Sequence, residues 1–167
     1  MTSTPIDGTT APSPSTPRSA PLIVISQYLK DLSFENPNAP DVLTAGNEAP
    51  RGSVQVDVLQ AQKGPGVYEV SLRLRVEATT RQDKLAYLID VDYCGLFQVG
   101  DLPAETVEPL IMIDAPRLLF PFARAVIASA VSEGGFPRLI VGPIDFAALY
   151  RQKRQVERSQ AIAAAPG

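Results

Sequence analysis

Between Pro116 and Val131 the chain reads Pro-Arg-Leu-Leu-Phe-Pro-Phe-Ala-Arg-Ala-Val-Ile-Ala-Ser-Ala-Val, apolar on almost every side of the helix it would form. A helix lying on one sheet needs only an apolar stripe, so all-round apolarity demands cover from several directions. A chain of 167 residues has room for one domain and buries roughly 70% of its unfolded surface, which leaves little to spare for that cover. The expected source is another copy of the chain. Phe120, Phe122, Val126 and Ile127 are therefore candidate oligomer contacts.

Upstream of this helix the hydrophobic period is two. Leu22 to Phe34 reads as a long edge or twisted strand. Glu35 to Gly52 is rich in turn residues and contains Asn36-Pro37-Asn38-Ala39-Pro40, whose prolines keep it out of any ladder and make it a crossover loop. Val54, Val56 and Val58 alternate with Gln55 and Asp57, and Gly64-Pro65-Gly66 then makes a turn. In the third strand Val70, Leu72, Leu74 and Val76 oppose Glu69, Ser71, Arg73, Arg75 and Glu77, the alternation of an antiparallel sheet with one covered face. The fourth puts Tyr87, Ile89, Val91 and Tyr93 on one side and Leu88, Asp90 and Asp92 on the other.

After Gly100 the period becomes helical. Pro103 suits a first turn and Pro109 interrupts the ladder, which predicts a short or broken helix. Asp114 is placed to cap a second helix of about 18 residues, with Pro116 in its first turn and Gly134-Gly135 at its end. Phe136 to Val141 is an apolar connection, and Asp145 opens a last helix through Tyr150 and the basic stretch. Strands followed by helices predict an α+β fold: a four-stranded antiparallel sheet with the C-terminal helices on one face. Met1 to Pro21, mostly Ser, Thr and Pro, is expected to be a disordered tail, residues 22–158 the folded domain, and 159–167 a second disordered tail.

Composition narrows the chemistry. The chain has no histidine, which removes histidine-activated nucleophiles and leaves one cysteine plus carboxylates as an unusual zinc ligand set. No catalytic residue, metal site or cofactor is expected. With 15 Lys and Arg against 18 Asp and Glu there is no basic field for nucleic acid. The lone Cys94 cannot close an internal disulfide and suits a reducing cytoplasm as a small apolar filler. No basic region precedes an apolar run at the N-terminus and nothing reaches the length of a membrane span, so neither export nor direct membrane insertion is expected.

Several motifs then fall in one order. They are Tyr28-Leu29-Lys30-Asp31-Leu32-Ser33-Phe34-Glu35-Asn36-Pro37-Asn38-Ala39-Pro40, Val67-Tyr68-Glu69-Val70, Gly95-Leu96-Phe97, Leu119-Phe120-Pro121-Phe122-Ala123-Arg124 and Gly135-Phe136-Pro137-Arg138-Leu139. With these the chain, over roughly residues 25–150, resembles the SecB family of protein-export chaperones. The resemblance implies a cytosolic, ATP-independent holdase that binds unfolded preproteins and passes them to the translocase motor SecA. It implies a homotetramer, a dimer of dimers whose long helices lie between two eight-stranded sheets.

On strand periodicity alone Asp31 and Glu35 share a face, as do Asp90 and Asp92, which describes either an ordinary solvated surface or an acidic patch. The resemblance assigns SecA docking to Asp31, Glu35, Leu88 and Asp90, and Asp92 shares their face. Val54, Val56 and Val58, with Leu139 and Val141, read first as core residues and otherwise as an exposed groove. The resemblance makes them client contacts, with Val42 and Leu43 on the crossover loop, although the loop lacks aromatic residues and the chain has no tryptophan. It also gives Tyr87, Ile89, Val91 and Tyr93 a role in subunit association. The C-terminal stretch departs from an acidic family tail, since Arg151, Lys153, Arg154 and Arg158 outnumber Glu157. A SecB-like chaperone of a toxin-antitoxin system and a non-catalytic oligomeric scaffold are the alternatives. A small-ligand enzyme ranks below both, without a nucleotide loop or a histidine base.

Overall fold

A computed structural model describes residues 21–44 and 49–164. The tails expected over Met1 to Pro21 and beyond Ala164 lie, apart from Pro21, outside the described residues. Four strands, β1 (Leu22–Glu35), β2 (Arg51–Gly64), β3 (Val67–Thr79) and β4 (Leu85–Val99), form one antiparallel sheet in the order β1-β4-β3-β2. Because β1 pairs with β4 and not with β2, the proline-rich segment crosses the end of the sheet and includes one short helix, α1 (Asp41–Thr44).

Residues directly opposite in an antiparallel ladder share a face, so the register sorts every side chain. One face carries the rows Phe34–Ile89–Val76–Val54, Leu32–Val91–Leu74–Val56 and Leu29–Tyr93–Leu72–Val58. The helices cover this face. The other carries Glu35–Leu88–Glu77–Ser53, Ser33–Asp90–Arg75–Gln55 and Asp31–Asp92–Arg73–Asp57. Among the described residues no helix lies over it.

The helical layer differs from the predicted break before Asp114. Helix α2 (Ala104–Pro109) runs through a π-helical turn at Leu110–Asp114 straight into α3 (Ala115–Glu133). Asp114 is itself helical and makes no capping bond; it pairs with Arg117 at 3.0 Å. Pro109 and Pro116 each remove a ladder donor, and a wider turn between them absorbs the missing bonds without ending the helix. Asp145 does cap α4 (Phe146–Ala164), its Oδ1 accepting the Ala148 N–H at 2.9 Å. Residues 159–164, expected as tail, continue α4, which strong helix formers at Ala161, Ala163 and Ala164 favour.

The inner side of α3 packs Leu119, Ala123, Ile127 and Val131 onto β3 and β4. Gly95 permits the approach: a Cβ there would stand 2.6 Å from the Phe97 ring and 2.8 Å from Leu119 Cδ2. At the far end the Phe34 ring occupies the space over Gly134, and Gly135 takes the left-handed conformation, φ +87°, that turns the chain away from α3. Tyr87, Ile89, Val91, Phe120 and Ile127, expected at subunit contacts, are thus core residues of the single chain, because α3 descends on the face of β4 that bears them.

The outer stripe of α3 is a different surface. Leu118 and Phe122 remain 44% and 51% exposed, with Pro121 and Ala125 open beside them and Val126 half-buried. Phe122 stacks on Tyr93 at 6.2 Å, but neither ring is sealed from solvent. Nothing in the single chain covers this stripe among the described residues.

Candidate functional site

The helix-free face of the sheet carries charge in rows. Three adjacent rows hold six carboxylates, Asp31, Glu35, Asp57, Glu77, Asp90 and Asp92, against two guanidiniums, Arg73 and Arg75. Asp31 faces Asp92, a like-charge opposition that is unfavourable unless a cation stands by. Arg73 is that cation, its Nε donating to Asp92 Oδ2 at 3.2 Å while Ser71 and Cys94 donate to Oδ1. Asp92 is thereby largely withdrawn from solvent. Arg75 pairs with Asp90 at 2.9 Å, and both remain substantially exposed. Asp31 and Glu35 are exposed, and among the described residues neither side chain has an ion-pair or hydrogen-bond partner. A shallow cavity of about 430 Å³ lies over Asp31, Asp57, Arg73, Arg75, Asp90 and Asp92.

One end of this face is locked by Glu69. Its carboxylate accepts from Tyr28 Oη and Lys30 Nζ on β1 and from Lys63 Nζ at the end of β2, the lysines at 3.0 Å. These donors hold the Glu69 pKa down to about 2, with the Tyr28 hydroxyl the largest cause, and the same bond raises Tyr28 above the ordinary phenol range. Under this polar bridge Cys94 is fully buried, and burial pushes its thiol up to about 11, which agrees with an inert filler.

The apolar surfaces lie elsewhere. Along β2 burial is graded: Val54 is 39% exposed, Val56 half-buried and Val58 only 6% exposed. The π-helical turn at Leu110–Asp114 packs on β2, and α4 flanks the Val58 end, where Lys153 Nζ donates to the Val58 carbonyl at 2.9 Å and reaches Asp57 Oδ1 at 3.5 Å. Between α4 and β2 runs a groove of about 420 Å³ lined by Val56, Val58, Met112, Leu149, Tyr150 and Val156. Val42 is half-buried and Leu43, 41% exposed, closes over Gly135. Leu139 is half-buried and Val141 buried, in an irregular segment instead of a strand, with Ile140 between them 75% exposed. On β1, Ile23, Ile25, Leu29 and Leu32 are each more than 40% exposed.

The family described as "Preprotein translocase subunit SecB" matches residues 16–157. The chain belongs to the SecB family. It is 45% identical over 145 residues, 87% of this chain and 86% of the relative, to the protein-export protein SecB of Parvibaculum lavamentivorans. It is 44% identical over 163 residues, 98% of this chain and 96% of the relative, to that of Nitrobacter hamburgensis. In fold it is similar, with a TM-score of 0.56 and 11% identity over 74% of this chain and 90% of the other, to a SecB-like chaperone of Mycobacterium tuberculosis in complex with a peptide from the HigA1 antitoxin. The SecB-like fold here is the four-stranded antiparallel sheet with its C-terminal helices on one face.

Of the residues singled out for SecA, the register brings Asp31, Glu35, Leu88, Asp90 and Asp92 onto one continuous surface of this SecB-family chain. Those singled out for clients divide. Val54, Val56, Leu43, Val42 and Leu139 keep accessible surface, whereas Val58 and Val141 are core. The sequence pattern alone did not single out Arg73 and Arg75 as parts of this charged face, nor Glu77 and Asp57 with them. Their alternation in β3 and β2 was visible, but which strand lies beside β4 is decided only by long-range pairing. No described helix is long and apolar enough to cross a membrane.

Proposed function

We propose that the chain is an ATP-independent holdase of the cytoplasm that keeps preproteins non-native and delivers them to SecA, acting as a homotetramer built as a dimer of dimers. The observation that carries this reading is the amount of large apolar surface one folded chain leaves open: the β1 edge, Leu43 and Val54, and the Leu118–Phe122 stripe of α3. A soluble domain rarely exposes so much unless a partner takes it up. The α3 stripe and Tyr93 suit self-association, a stiff, flat surface offered identically by each copy. Val54, Val56, Val42, Leu43 and Leu139 suit clients, since dispersed apolar patches without fixed polar anchors accept many sequences and gain affinity when one chain spans several of them.

The sheet face with Asp31 and Glu35 suits the basic, zinc-bearing tail of SecA through screened attraction. Two measurements test the reading. The purified protein suppresses aggregation of a denatured exported protein on dilution, without nucleotide, and failure to do so sinks the holdase in favour of a scaffold. The D31K/E35K variant loses SecA binding while it still holds clients. Unchanged SecA binding removes the docking assignment.

A further inference from the structure

The two arginine–aspartate pairs on the helix-free face are unequal. Asp92 is held by three donors, Arg73, Ser71 and Cys94, and its side chain is 13% exposed. It is committed to the sheet. Among the described residues Asp90 has a single partner, Arg75, at 2.9 Å, with 38% of the aspartate and 46% of the arginine side chain exposed. An exposed pair of this kind is held weakly and exchanges partners readily. Arg75 therefore sits where a basic partner's cation would sit, against the same carboxylate.

From this the geometry points to Arg75 as a specificity-determining residue that competes with an incoming basic segment for Asp90. The inference rests on the reading of this face as the SecA-docking surface and adds the chemistry of what it selects. Asp31 and Glu35, unpartnered on β1 among the described residues, offer full charge to a cation. In the row between them Ser33, Asp90, Arg75 and Gln55 have no net charge. A uniformly basic segment laid across the strands must displace Arg75 or meet it as a like charge. A segment that places its cations along β1 and a neutral or acidic residue over β3 meets neither cost. The surface thus rewards cations on the β1 side and penalises them two strands over, roughly 10 Å away at the usual strand spacing.

The test is binding of a zinc-loaded synthetic peptide of the SecA C-terminal tail to the full chain, by fluorescence anisotropy at low and high salt. R75Q should bind about two- to fivefold more tightly at low salt, the range that removal of an exposed competing cation supports, and the gain should shrink with salt. R75K, which keeps the charge, should bind like the wild type. The gain from R75Q should be smaller in the D90N background, where relief of like-charge repulsion remains but no carboxylate is freed, an outcome that a merely structural role for Arg75 would not give. Equal or weaker binding by R75Q, or a gain just as large without Asp90, overturns the inference. D31K/E35K separates the two levels: if it binds the peptide as well as the wild type, the docking surface itself is misassigned and the inference falls with it. If it loses binding while R75Q gains none, only the role of Arg75 is refuted.

Discussion

The three valines of β2 share one strand face but not one environment, and that contrast makes a sharp test. Val58 is 6% exposed beneath the helical layer, whereas Val54, four residues earlier, is 39% exposed. Val58→Ala removes the equivalent of two buried methylene groups and leaves a small void, a loss of about 2 kcal/mol. In a domain of this size that is a fall in Tm of about 4 to 8 °C. Val54→Ala removes mostly solvated surface and should cost less than about 0.5 kcal/mol. Its effect belongs to binding. The apolar surface it still offers is worth about 0.5 to 1 kcal/mol to a client that covers it, a two- to fivefold loss of affinity. Urea unfolding followed by circular dichroism reads the first quantity, and anisotropy of a labelled, permanently unfolded client reads the second. If Val54→Ala destabilises as much as Val58→Ala, or weakens no client, the burial gradient does not separate core from groove and the reasoning fails.

Gly95→Ala should destabilise by about 1 to 3 kcal/mol, since the added Cβ meets the Phe97 ring and Leu119 at less than contact distance; a wild-type urea midpoint would show that α3 is not wedged against β4. Glu69 has a folded pKa near 2, below its ordinary 4.5, so its contribution to stability is complete above about pH 5 and is lost as pH falls through 4.5 towards 2. Glu69→Gln should lower stability at pH 7 by about 2 kcal/mol and flatten the acid limb of the stability curve, and an unchanged limb would contradict the role given to Tyr28, Lys63 and Lys30.

Period and punctuation carried most of this fold. Strict alternation in β3 marks a sheet covered on one face, and the change to helical spacing after Gly100 marks the layer that covers it. What stayed hidden depends on contacts distant in sequence. Ladder irregularities between Val24 and Ser26 and between Leu29 and Asp31 let Tyr28 share the open face with Asp31 at an odd separation, which strict alternation forbids. Arg73 and Arg75 look like routine solvent-facing residues until β4 is laid beside them. The valines illustrate the same limit, because periodicity says which face they occupy but not how far the helical layer extends over it. In the helices, a residue-by-residue reading of Pro109 and Asp114 predicted an interruption; a π-helical turn solves the missing donors more cheaply by keeping the apolar face continuous.

The apolar outer stripe of α3 is the feature on which the account turns, and native mass spectrometry of the purified chain at micromolar concentration tests it most directly. The account predicts a species of four times the 17.9 kDa subunit mass, reduced to smaller assemblies that remain folded when Leu118 and Phe122 are replaced by serine. A folded 17.9 kDa monomer as the dominant wild-type species would show that this surface needs no second copy, and would contradict the account.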